Sequence, residues 1–155
     1  MKTLIINVAV GIMLFAMAVP VQSQQTSQQQ QQQQQQMQQM QEMMHRMNGL
    51  MERNQNMNRD MNQRMQQAQN EQMRNQYQMM HRFSEQMGMT LGNMKNAAER
   101  CELMLKDQEM MRDHMMQQDM QRMRRHLSDL TSEMDESLKT MERMVQRMRE
   151  RQGQR

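Results

Sequence analysis

Beyond residue 36 the chain is a polar background punctuated by apolar residues at helical intervals. Met37, Met40, Met44, Met47 and Met51 recur at alternating spacings of three and four and so line one helix face, and Met57, Met61 and Met65 continue a face at spacing four. Between these groups Asn54 and Asn58 stand where a helical seam needs apolar side chains, and Asn is plentiful from residue 48 to residue 75. Residues 37–86 are therefore expected as a Met/Gln/Asn-rich helical arm that frays in its middle. Gly88, Gly92 and Asn93, with Thr90 among them, concentrate helix breakers, which predicts a turn or hinge at residues 87–93.

The most regular pattern lies in the second arm, residues 94–152. Met120, Leu127, Met134, Met141 and Met148 recur every seven residues, and Met116, Met123, Leu130 and Met144 occupy a companion position that only Ser137 interrupts. Leu138 and Val145 widen the stripe, and residues 153–155 form a short tail. A stripe of this kind must be covered by another helix. The fold class read from these patterns is all-α: an elongated antiparallel helical hairpin or coiled coil, each arm ~75–90 Å long if unbroken. The residues from His126 to Ser132 are rich in capping side chains; a break there would give a four-helix bundle instead.

The first residues read differently. Lys2, the apolar run from Leu4 to Val19, and then Pro20, Val21 and Ser23 predict a secretory signal over residues 1–23, cleaved after Ser23 and too short to remain as a spanning helix. The expected location is exported: periplasmic in a bacterium, secreted otherwise, with no stable membrane insertion after cleavage. From Gln24 to Gln36 the chain holds only Gln with Thr26 and Ser27, so it has no apolar surface to offset ordering entropy and is expected as a disordered polyglutamine tether.

Composition narrows the function. Of 155 residues, 29 are Met; Phe15, Phe83 and Tyr77 are the only aromatics, and five Gly and one Pro leave little for sheets and Gly-rich loops. No nucleophile–base spacing and no phosphate cradle is present, so catalysis is not expected. A net charge of +3 gives no reason to expect nucleic acid. The single cysteine, Cys101, has no partner for an internal disulfide and reads as a buried apolar residue, a free thiol, an intermolecular bridge or a soft metal ligand.

Methionine is a flexible core residue that specifies packing poorly, so its excess over Leu points to a use for sulfur. A neutral thioether binds Cu(I) or Ag(I) without losing a proton, and imidazole suits the same ions. Residues three or four apart share a helix face, which groups Met111, His114 and Met115, and likewise Met120, Met123 and His126; Cys101 with Met104 is a further candidate site. The tetrapeptide Met43-Met44-His45-Arg46 returns as Met79-Met80-His81-Arg82 after 36 residues, an interval of ten helical turns that would align the copies on a continuous helix.

With its Met-x-x-His spacings, its doublets Met110-Met111 and Met115-Met116 and its export signal, the chain resembles the small Met- and His-rich periplasmic silver- and copper-binding proteins of bacterial metal-resistance systems. The resemblance is compositional, covers about residues 37–148, and implies sequestration or handover of Cu(I) or Ag(I). It departs from that pattern in having four His and no His-x-x-Met, which makes its sites mostly thioether. Beside a metal ion as partner, the seam at 116–148 admits a homo-oligomer. Three other readings stand beside metal binding: a chaperone-like coiled coil with adaptable Met surfaces, a reversible oxidant sink, and a plain structural coiled coil. Small helical periplasmic chaperones carry a Leu-Thr-x-x-Gln signature, which Leu130-Thr131 begins and Met134 ends differently.

Overall fold

The computed structural model describes the backbone of residues 21–153 and the side chains of residues 31–151. It is all-α. Helix α1 spans Val21–Gln67, α2 spans Glu71–Lys106 and α3 spans His114–Gly153, with one 3-10 turn at Met110–Arg112 between the last two. The expected signal segment, apart from residues 21–23 at the start of α1, lies outside the described residues, as does the end of the expected tail. The Gln-rich residues 24–36, expected as a tether, are helical here and continuous with α1. Gln has good helix propensity, and the Gln33 side chain donates to the Leu105 carbonyl while Gln36 is buried.

The breaks fall where local side chains cap the chain. Asn70 starts α2 by accepting from the Met73 amide at 2.9 Å, with Glu71 favourably placed at the positive end of the helix. Asp107 accepts from the Glu109 and Met110 amides at 2.9 and 3.1 Å, and Asp113 accepts from the Met115 amide at 2.8 Å to open α3. The turn expected at residues 87–93 is absent, because α2 runs straight through it. Both expected arms are corrected accordingly, the first being divided at residues 68–70 and the second at residues 107–113. Nor does the chain break near residue 130: Thr131 and Ser132 turn their hydroxyls back to the Leu127 and Ser128 carbonyls at 2.7 and 3.1 Å, inside the helix.

Cross-helix pairs set the directions. Gln33 meets Leu105 and Asn54 meets Ser84, so α1 and α2 run opposite ways. Gln39 meets Arg124, Arg53 meets Asp135 and Glu142, and Asp60 meets Arg149, so α3 runs with α1 and against α2. The stripe Met120, Leu127 and Met141 is buried with Leu138 and Val145, while the companion residues Met123, Leu130 and Met144 stay exposed at its edge. Two apolar clusters fill the interior. One gathers Met40, Met43, Met47, Met94, Cys101, Met111 and Met120, and the other gathers Leu50, Met57, Met61, Tyr77, Leu91 and Met141 with their neighbours.

One buried polar pair crosses between α1 and α2. Asn54 Nδ2 donates to the Ser84 carbonyl at 2.8 Å, and Ser84 Oγ donates to Asn54 Oδ1 at 2.7 Å. Sliding either helix by one turn would strand both groups in an apolar interior, so the pair holds the register of flexible thioethers around it. Gly88 makes room for it: a Cβ there would lie 2.9 Å from Asn54 Nδ2, whereas Gly49 and Gly92 face open space.

These contacts separate three glycines of equal helix propensity. Gly49→Ala and Gly92→Ala should each stabilise by ~0.5–1 kcal/mol through reduced backbone freedom. Gly88→Ala meets an overpacking cost of ~1–3 kcal/mol that outweighs the same gain and should destabilise, as should Asn54→Ala by ~1–3 kcal/mol. Urea midpoints of the four variants check the ordering.

Acid should loosen α3 from α1. Burial alone would raise the Asp60 carboxyl, but hydrogen bonds from Arg64 and Arg149 bring it below the ordinary range; Lys139 and then Arg53 do the same for Asp135. A depressed carboxyl contributes stability that is complete above the unfolded value, ~3.9, and is lost as pH falls through the folded one. The urea midpoint should therefore drop below about pH 4, and drop less in Arg53→Gln/Arg149→Gln.

Candidate metal centre

The two Met-x-x-His groups do not converge. Met111 sits in the 3-10 turn and is buried, but the chain changes direction at Asp113, and His114 becomes the first residue of α3, exposed, with Nδ1 3.4 Å from Gln118 Nε2. Met115 is 72% exposed. In the second group Met120 is buried, while Met123 is 49% exposed and His126 faces solvent. Positions i, i+3 and i+6 are spread over about a third of the helix circumference, which turns the first inward and the last outward. Met104 is likewise exposed although Cys101, one turn earlier, is buried.

Three of the expected ligands do come together, in a different setting. Cys101, Met111 and Met120 belong to the buried cluster that also holds Met40, Met43, Met47 and Met94, with Ala98, Leu105 and Leu127 as its other members. Each helix and the 3-10 turn contribute sulfur: α1 through Met40, Met43 and Met47, α2 through Met94 and Cys101, the turn through Met111, and α3 through Met120. Met37, Met44, Met116 and Met134 pack against its rim. Met40 and Met47 were legible as seam positions, but not as neighbours of α2 and its Cys101, since that proximity comes from pairing two helices that run opposite ways. The signal that bears on it is the stripe Met94, Ala98, Cys101 and Leu105, spaced three and four like the one from Met37 to Met51.

The chemistry of this cluster is soft and dry. Cys101 is 5% exposed, and burial pushes its thiol up, so the proton is held more tightly than in water. Among the described residues, no three or more His, Cys, Asp or Glu side chains form a group able to hold a metal ion. A thioether cluster with one thiol can accept a soft monovalent cation through sulfur alone, the thiol giving up its proton as the bond forms. The repeated tetrapeptide is split by the break at residues 68–70. Met43 is buried in the cluster, whereas Met79 is 65% exposed on α2, and His81 Nδ1 lies 3.6 Å from Glu85 Oε2.

No family model matches this chain, and comparisons with characterised proteins and with solved structures find no match either. None of the described helices is long and apolar enough to cross a membrane.

Burial makes Cys101 a reporter on its surroundings. Reaction with a disulfide reagent at pH 8 should be slower than that of a free peptide thiol by roughly two orders of magnitude, and 6 M urea should abolish the difference. The sign with pH follows from the raised thiol: stability is complete below the unfolded thiol value and declines as pH rises through the folded one. Thermal midpoints of the wild type should fall above about pH 8.5, and Cys101→Ala should remove that alkaline decline.

Proposed function

We propose that this protein is an exported, Met-rich helical protein that takes up soft monovalent metal, Cu(I) or Ag(I), for sequestration or handover. The observation that supports this reading is the buried cluster that holds six methionine thioethers together with Cys101. Leucine would fill the same volume with better-defined rotamers, so a thioether interior sacrifices packing uniqueness and gains coordination capacity. The thioethers are neutral ligands that lose no proton on binding, so the dependence on acidity rests on the single thiol. In this reading the exposed Met104, Met115 and Met123 are first points of capture, and the buried sulfurs hold the ion.

A second reading has its own support. Met79, Phe83, Met89, Leu103 and Met115 are exposed, and flexible thioethers adapt to many apolar partners, as a chaperone-like coiled coil requires. The two readings differ in what leucine does. Replacing Met40, Met94 and Met120 by Leu keeps apolar volume, so it leaves partner binding intact and weakens metal binding.

Anaerobic titration with Cu(I) against a competing chelator tests the metal reading. Binding should be saturable and should weaken by about tenfold or more in Cys101→Ser and in the Met40→Leu/Met94→Leu/Met120→Leu variant, while His114→Ala/His126→Ala leaves it unchanged. Because a thiol proton is released at any pH below its pKa, affinity should rise about tenfold per pH unit from pH 5 to 8. A rise that ends near pH 6.5 would instead mark imidazole ligation, and no competition with the chelator would leave the interaction reading.

A further inference from the structure

The basic end of α3 carries charge that the fold does not use. Along the cleft between α1 and α3, cations and carboxylates neutralise one another: Arg53 bridges Asp135 and Glu142, Lys139 bonds Asp135 and Glu136, and Arg149 meets Asp60 at 2.5 Å. On the other side of α3, facing α2, the pattern changes. Arg147, which also borders the α1–α3 cleft, and Arg151, one turn on, make no ion pair among the described residues. Both border a cavity of about 280 Å³ whose remaining walls are Gln76, Met79, Met80, Met144 and Met148. Here four thioether side chains form an apolar trough, with two free guanidinium groups and one amide at its edge.

The trough has a direction. Since α2 and α3 run opposite ways, Gln76 is level with the Arg151 end of the wall and Met80 with the Met144 end. Gln76 and Arg151 thus mark one end and Met80 and Met144 the other, with Arg147 and Met148 between them, and Phe83, 49% exposed, stands one turn beyond Met79 and Met80 on the apolar side. A small apolar cavity with a few convergent polar groups at its edge is the usual form of a small-molecule site. Its length is about two turns of α3 and one of α2, too short for the several anchors of a bound amphipathic helix.

We propose that this cavity binds a free single-chain carboxylate amphiphile of the fatty-acid class. The carboxylate is held by Arg147 and Arg151, which present paired donors matched to its two oxygens, and Gln76 adds an amide donor. The alkyl chain lies along Met79, Met80, Met144 and Met148, whose unbranched side chains reshape around it. This site lies at the opposite end of the helices from the Cys101 cluster, and its occupancy is independent of whether the protein takes up metal.

The test is calorimetric titration of the purified protein with dodecanoate below its critical micelle concentration, beside dodecan-1-ol and dodecyltrimethylammonium. Methionine methyl groups labelled with carbon-13 report the location. The expected result is saturable dodecanoate binding that shifts the Met79, Met80, Met144 and Met148 methyls. The alcohol should bind about tenfold more weakly and the cation not measurably. Arg147→Gln/Arg151→Gln should bring the carboxylate down to the affinity of the alcohol without changing the helical spectrum, and Met79→Gln, at an exposed position, should weaken both. Equal binding of the three amphiphiles, methyl shifts confined to other methionines, indifference to the arginine substitutions, or tighter binding to anionic phosphatidylglycerol vesicles than to dodecanoate would each overturn the assignment.

Discussion

With branched aliphatic side chains scarce, the interior of this protein depends on packing methionine thioethers between helices, and that single constraint propagates through the rest of the structure. Burying a Met side chain is worth ~1.5–3 kcal/mol, comparable to Leu, but its rotatable bonds let it satisfy many alternative arrangements. A core of this kind supplies cohesion more readily than register. The register comes from polar devices set into the apolar surfaces: the buried Asn54–Ser84 pair, the space that Gly88 leaves for it, and the Arg53 and Arg149 bridges that align α3 with α1. Each is inserted at a point where a thioether would have tolerated a slip.

The same logic explains what could be read along the chain. The heptad stripe from Met120 to Met148 and the face from Met37 to Met65 are legible because amphipathic periodicity is a local property, and both are buried or half-buried in the folded protein. The turns were not. Gly88 and Gly92 look like breakers in isolation, yet a helix accommodates them at ~1 kcal/mol each when its flanks are well packed, and Gly88 is required by a side chain from another helix. The true breaks rely on Asn70, Asp107 and Asp113, which apolar spacing does not distinguish from Asn and Asp that lie inside helices, such as Asn54 and Asp60. Asn54 was visible as an anomaly in a seam; its partner Ser84, thirty residues away, was not.

The candidate site repeats this division. Spacing of three or four residues identifies which side chains share a face of an uninterrupted helix, and the 3-10 turn before His114 interrupts that rule where it was applied. The imidazoles end on the surface while Cys101, Met111 and Met120 join sulfurs from α1. Placing the thiol in an apolar interior raises the cost of ionising it, so a cation entering there must replace the proton as well as displace packed side chains. Such a cluster favours an ion whose bonds to sulfur are strong and whose hydration is weak, which describes Cu(I) and Ag(I) and excludes Mg²⁺ and Ca²⁺.

In the proposed function, sulfur from the buried cluster, and not surface imidazole, would hold the metal. X-ray absorption at the copper edge of the protein loaded anaerobically with one equivalent of Cu(I) tests it most directly. The expected first shell is made only of sulfur, at ~2.3 Å, and loses a scatterer in Cys101→Ser. A shell containing nitrogen at ~2.0 Å that disappears in His114→Ala/His126→Ala would contradict it.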